Sequence, residues 1–265
     1  MAVGAALALR GAAMTQLALV APVAPPVPEW CRLILGDASE AIEAAREMGG
    51  ADLVVADPPW LYDQRAGSGS AAAADEYGCL PLDSIREHME AALLAVRPGA
   101  RCLLWTTWAM LPAVTTLWGG RDNAGTVYLA GWRWVSGGVW AKSDAPDSDG
   151  QRQGALGMGY HLRSSESEPF VILAGRGPHA RADVPGCWVA PTTGRHSEKP
   201  VDWQVYAARG WCPPGGLVLD LYAGLGSVAR AVARAGEGRR YIGAEIDPER
   251  HAAALSLLAQ EVGRG

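Results

Sequence analysis

Asp57, Pro58, Pro59 and Trp60 follow directly on the apolar run Leu53-Val54-Val55-Ala56. A carboxylate at the end of a buried strand, two rigid prolines and an aromatic expected to be exposed suit one task, holding a planar base by its exocyclic amine. The amino nitrogen of adenine is a poor nucleophile because its lone pair is delocalised into the ring. An Asp57 oxygen and the Pro58 carbonyl could accept its two hydrogens and favour a more tetrahedral nitrogen. Both prolines have a fixed φ and no N–H to donate, and Pro59 restrains Pro58 to an extended backbone. Trp60 offers a face on which a base can stack, worth about 1–3 kcal/mol. The same four residues also describe a structural loop with a packing tryptophan, so the remainder of the chain has to decide.

A second constellation lies near the C-terminus. Leu217-Val218-Leu219-Asp220 predicts a strand ending in an acid, and Ala223-Gly224-Leu225-Gly226 a tight turn before a helix. Glycines there let the backbone approach a ligand, and the helix N-terminus aims free N–H groups at it. Tyr241 to Ala244 predicts a further strand ending at Glu245, 19 residues beyond Gly226. An acid so placed commonly binds ribose hydroxyls. Gly224, Gly226 and Ala229 also satisfy a dinucleotide fingerprint, which alone is weak evidence. S-adenosylmethionine fits better, since Asp220 suits its cationic methionine end and would repel a pyrophosphate.

The elements that must position these residues alternate along the chain. Strands are expected at 33–35, 53–56, 101–107, 132–140, 169–174, 217–221 and 241–244. Helices are expected at 39–48, 83–96, 110–118, 201–208, 228–235 and 249–262, with Pro98-Gly99 as a helix stop. Such alternation indicates an α/β fold with a largely parallel sheet. Residues 61–78 and 143–159 read as long polar or small-residue loops, candidates for substrate contact or gating. Residues 1–28, Ala- and Pro-rich, read as an unstructured leader with Met14 as an alternative start, and 29–265 as one domain.

Composition narrows the class. A net charge of −5 gives no global electrostatic case for nucleic acid, which argues against a tight nonspecific binder but leaves room for a local groove. Eleven tryptophans against one phenylalanine mark an unusual aromatic core. The five cysteines are scattered and odd in number, without zinc-ligand spacing. They read as reduced thiols of a cytoplasmic protein, and no metal site is expected. No stretch has the length of a membrane span.

Taken in order, the motifs resemble the permuted amino-methyltransferases, in which the Asp-Pro-Pro-aromatic motif precedes the cofactor glycines. The nearest resemblance is to the messenger-RNA adenosine methyltransferase family and its bacterial and phage DNA adenine relatives. It is carried by Leu35-Gly36-Asp37-Ala38, by Asp57-Pro58-Pro59-Trp60, by Gly159 to Arg163 through Glu168 to Gly177, and by His196-Ser197-Glu198-Lys199-Pro200. The glycine motif, Asp-Leu-Tyr-Ala-Gly-Leu-Gly-Ser, departs from the Asp-Pro-Phe form of the wider group. Glu166 and Glu168 both match the family's mid-chain acid, and no large target-recognition insert is visible.

The resemblance implies a single Rossmann-like, circularly permuted methyltransferase domain using S-adenosyl-L-methionine. It gives Asp57, Pro58, Pro59 and Trp60 catalytic roles. Asp37 would hold the cofactor adenine, Lys199 the methionine carboxylate, Asp220 and Gly224 the methionine side, and Glu245 the ribose, with Gly226 a further cofactor-binding residue. His196 is either a hydrogen-bonding neighbour or structural. The implied reaction is methyl transfer to the 6-amino group of adenine in nucleic acid, DNA ahead of RNA, and a homodimer is compatible with it. A cytosine 4-amino methyltransferase, a silent nucleic-acid-binding subunit and, last, an NAD enzyme remain the alternatives.

Overall fold

The computed structural model describes residues 27–60, 79–142, 167–179, 182–193 and 198–264. The expectations for the leader, for the loops at 61–78 and 143–159, for the 159–163 motif and Glu166, and for His196 lie on residues outside that set, apart from positions 27 and 28. The described strands are β1 (Cys31–Leu35), β2 (Ala51–Ala56), β3 (Val96–Trp105), β4 (Gly119–Arg121), β5 (Val127–Leu129), β6 (Trp132–Lys142), β7 (Ser167–Ala174), β8 (Cys187–Ala190), β9 (Leu217–Asp220) and β10 (Arg240–Glu245). The helices are α1 (Ala38–Glu47), α2 (Leu82–Leu94), α3 (Met110–Leu117), α4 (Val201–Trp211), α5 (Ser227–Ala235) and α6 (Pro248–Val262).

All ten strands join one sheet, ordered β1-β10-β9-β2-β3-β7-β6-β5-β4, with β8 beside β6. The first five are parallel to one another, as the alternating pattern requires. From β7 outward the neighbours β3–β7, β7–β6, β6–β5 and β5–β4 are antiparallel. The expectation of a largely parallel sheet is therefore corrected to a mixed one. Short turns join β4 to β5 and β5 to β6 and favour antiparallel pairing there.

Apolar side chains cover both faces of the central strands. Val54, Leu104, Leu219 and Ile242 point into one cluster with α1 and α2, and Leu53, Leu103, Val218 and Tyr241 into another with α4, α5 and α6. Such two-sided burial explains why β2 and β9 read as continuous apolar runs. Under β3 and β7 the second cluster becomes aromatic. Trp105 meets Phe170, Trp203 and Trp140 edge-on at 5.1, 5.4 and 6.4 Å between ring centres. Each such pair contributes about 0.5–1.5 kcal/mol beyond its area.

Local signals set the helix starts. Asp37 caps α1 by accepting from the Ser39 amide at 2.9 Å, while Glu40 reaches back to the Asp37 amide at 3.1 Å, a capping box. Asp247 caps α6 through the Glu249 and Arg250 amides, with Pro248 in its first turn. Pro98-Gly99 does not stop a helix. It lies inside β3, and α2 ends earlier, at Leu94.

Candidate active site

Register places the chemistry-bearing residues together. Asp52, at the start of β2, accepts the Leu217 amide at 2.8 Å and so fixes β2 against β9. In that register Val55 lies opposite Asp220, and Asp220 opposite Gly243. Leu35 pairs with Glu245 at the other side of β10. Asp37, Asp57, Asp220 and Glu245 thus gather at the C-terminal ends of four adjacent parallel strands. The sheet changes winding direction between β9 and β2, the position where open α/β sheets bind ligands.

The β2 half of the site is a charge network. Lys199 Nζ donates to Asp57 Oδ2 at 2.6 Å and pairs with Glu168 Oε1 at 2.8 Å. The other Glu168 oxygen pairs with Lys142 Nζ at 3.0 Å. Lys199 is nearly sealed from solvent, at 6% side-chain exposure, whereas Asp57 keeps 26%. The Trp105 ring lies 5.6 Å below the Lys199 ammonium. Burial pushes the Asp57 carboxyl above the usual aspartate range; Lys199 opposes this and the neighbouring Glu168 adds to it. Burial acts on Glu168 in the same sense, but Lys199 and Lys142 overcome it and hold Glu168 below its ordinary value. Burial works against the Lys199 charge too, and the two carboxylates reverse that, raising its pKa.

Two expectations meet different surroundings. Trp60 is not exposed: at 3% exposure it is a core residue, its ring stacked on Trp118 at 5.8 Å. The physical reason is Trp118, at the end of α3, which supplies an apolar partner distant in sequence. Lys199, expected beside the methionine carboxylate, has its ammonium on Asp57 and Glu168. The Pro59 carbonyl accepts the Leu80 amide at 3.0 Å, and among the described residues no backbone amide takes the Pro58 carbonyl.

The β9–β10 half is a glycine turn braced by carboxylates. Gly224 and Gly226 have φ of +54° and +72°, where side chains other than glycine's are strained. A Cβ on Gly224 would meet nothing within 4 Å, so the turn is open on that side. A Cβ on Gly226 would lie 3.1 Å from Ala254 Cβ, so this glycine also allows α5 to start against α6. Glu245 accepts the Gly224 amide at 2.7 Å and the Asp247 amide at 2.9 Å, one on each oxygen. A carboxylate offers about four lone-pair sites, so capacity remains for two hydroxyl groups. Asp220 is 1% exposed, and its Oδ2 accepts the Tyr241 hydroxyl at 3.0 Å. Burial lifts its pKa to about 7, against the lowering effect of Tyr241 and the Tyr222 amide.

Asp37 contributes to α1 and to a polar string beside the turn. His88 Nε2 lies 3.3 Å from Asp37 Oδ1, and His88 Nδ1 lies 2.9 Å from the Tyr222 hydroxyl. Lys142, Tyr241 and His88 were not foreseen. Tyr241 was hidden as one more apolar strand residue. For Lys142 the only clue is its place after Trp140 at a strand end.

Among the described residues no cluster could hold a metal ion. Cys31, Cys102 and Cys212 are buried, with thiols pushed up to about 12 or beyond, which makes them poor nucleophiles at neutral pH. No helix among the described residues is long and apolar enough to cross a membrane.

Solved structures share this architecture. M1.HpyAVI in complex with S-adenosylmethionine superposes with a TM-score of 0.58 at 14% identity, over 86% of this chain and 98% of that one. The candidate DNA modification methylase TTHA0409 from Thermus thermophilus gives 0.56 at 19% identity, over 87% and 95%, and is also known complexed with S-adenosyl-L-methionine. The cytosine-N4-specific PvuII DNA methyltransferase gives 0.52 at 12% identity, over 88% and 92%. The chain therefore has the Rossmann-like α/β fold of these proteins. No protein-family model matches the sequence, and no curated protein matches it.

Proposed function

We infer that the protein is an S-adenosylmethionine-dependent methyltransferase acting on the exocyclic amine of a base in DNA, with the adenine 6-amino group as target. The observation that carries this reading is the register that places Asp57, just past β2, beside Asp220 and the Gly224 turn that Glu245 braces on the neighbouring strands. S-adenosylmethionine, when bound, supplies an electrophilic methyl group on a sulfonium. The residues present fit it. Gly224 leaves open space beside the turn, Asp220 sets an acid by the cationic methionine end, and Glu245 retains acceptor capacity for ribose hydroxyls.

On the other side, the uncommitted Asp57 oxygen and the Pro58 carbonyl accept the two amine hydrogens. That holds the nitrogen lone pair toward the methyl donor, so rate comes from orientation and preorganised acceptors. Lys199 favours the ionised form of Asp57 and fixes the carboxylate in place. Asp57 is an orienting acceptor rather than a strong base, because the nitrogen loses its proton readily once alkylated. Trp60 acts from beneath, bracing the proline loop against Trp118. Extrusion of the base from a duplex costs a few kcal/mol, so single-stranded or mismatched sites are the easier substrates.

Cytosine N4 is the second reading, favoured by the likeness to the PvuII enzyme. The test is methyl transfer from labelled cofactor to duplex DNA, single-stranded DNA and RNA, with identification of the modified nucleoside. N6-methyladenine is expected, and N4-methylcytosine would select the second reading. Asp57→Ala should abolish product while cofactor binding stays within a few-fold. Undiminished transfer by that variant removes the proposal.

A further inference from the structure

Lys142, Glu168, Lys199 and Asp57 come from four separate parts of the chain and alternate in sign along one row. Successive contacts are 3.0, 2.8 and 2.6 Å. Lys142 ends β6 at the rim, with 21% of its side chain exposed and its ammonium 5.0 Å from the Trp140 ring centre. Lys199 is the enclosed member. Two carboxylates therefore compete for one buried ammonium, and the rim lysine occupies the far oxygen of only one of them.

We propose that Lys142 is a positioning residue for Asp57: by holding Glu168 from outside, it leaves Lys199 committed to Asp57. Without Lys142, Glu168 has to draw its neutralisation from Lys199, and the charge on Asp57 is less compensated. The charged groups facing Asp57 are Lys199 ahead of α4, Glu168 from β7, Lys142 from β6 and Asp220 from β9. Of these, only the two lysines favour its ionised form. The effect on Asp57 holds for the molecule whatever its reaction, while the effect on catalysis rests on the methyl-transfer reading.

The experiment follows the protonation of Asp57 by 13C NMR of carboxyl-labelled aspartate, its signal assigned by loss in Asp57→Asn. Lys142→Met keeps the alkyl stem over Trp140 and should raise the Asp57 midpoint by about one pH unit. Lys142→Arg should restore it. Glu168→Gln removes the competitor and should lower the midpoint, and adding Lys142→Met to that background should move it by much less than in the native background, the remainder being the direct field of Lys142. An unmoved midpoint in Lys142→Met overturns the proposal, as does an equal shift with and without Glu168, which would mean a direct field effect. If the methyl-transfer reading is right, the acid limb of the pH–kcat profile moves with the midpoint while cofactor KM does not. A shifted midpoint in a protein that transfers no methyl group would uphold the positioning role and sink the reading instead.

Discussion

At the scale of single residues, the two acids that flank the β9–β2 boundary differ in what holds them. Asp57 has a lysine at 2.6 Å, whereas Asp220 is enclosed with a tyrosine hydroxyl at 3.0 Å and has a pKa of about 7. If Asp220 meets the cationic end of the cofactor, affinity should weaken as pH falls through about 7 and the carboxylate is protonated. Tyr241→Phe removes a hydrogen bond to the ionised form, so the weakening should begin at higher pH. Calorimetric titration of S-adenosylmethionine across pH, with both proteins, checks the sign. Stability runs the other way. A carboxyl with a raised folded-state pKa binds its proton more tightly folded than unfolded, so its contribution declines as pH rises from the ordinary aspartate value to about 7. Asp220→Asn should flatten that part of the melting-temperature profile. The identities of Asp57, Asp220 and Glu245 were readable because each ends an apolar run. The pairing of Lys199 was not, because its partner lies 142 positions earlier and no local pattern encodes that distance.

At the scale of elements, α5 is held by charge as well as by packing. Arg230, buried in α5, pairs with the buried Glu198 just ahead of α4. Arg234, one turn later, bonds Glu261 of α6 at 2.8 and 2.9 Å and Asp202 of α4 at 2.6 Å. Arg230→Met takes the guanidinium from a buried ion pair and should cost about 3–5 kcal/mol in denaturant unfolding. Arg234→Met, at a more exposed position, should cost about 1 kcal/mol or less. The helices and central strands were legible in the sequence, since caps, glycine stops and apolar runs are local. β4, β5 and β8 were not: three or four residues each, and Gly119-Gly120-Arg121 carries no alternation. The burial of Trp60 is not legible for a related reason, because the ring that covers it lies just past α3, 58 positions later (Trp118 minus Trp60).

At the scale of the whole molecule, the candidate cofactor site joins β9 and β10 to strands from the other end of the chain, so occupancy should stabilise the entire fold. At a hundredfold excess over Kd, S-adenosylmethionine should add about 2.7 kcal/mol, seen as a rise in melting temperature that NAD does not reproduce. The sheet order also bears on synthesis. A ribosome delivers β1 and β2 first, yet they cannot pair with each other, because β10 and β9 belong between them. β1 has β10 as its neighbour in the sheet, and one edge of β2 waits for β9. Until Leu217 and the strands that follow have been made, apolar strand edges stay open as templates for pairing with other chains. The nascent chain should therefore be more exposed to aggregation than the folded one, because central strands of its sheet arrive last.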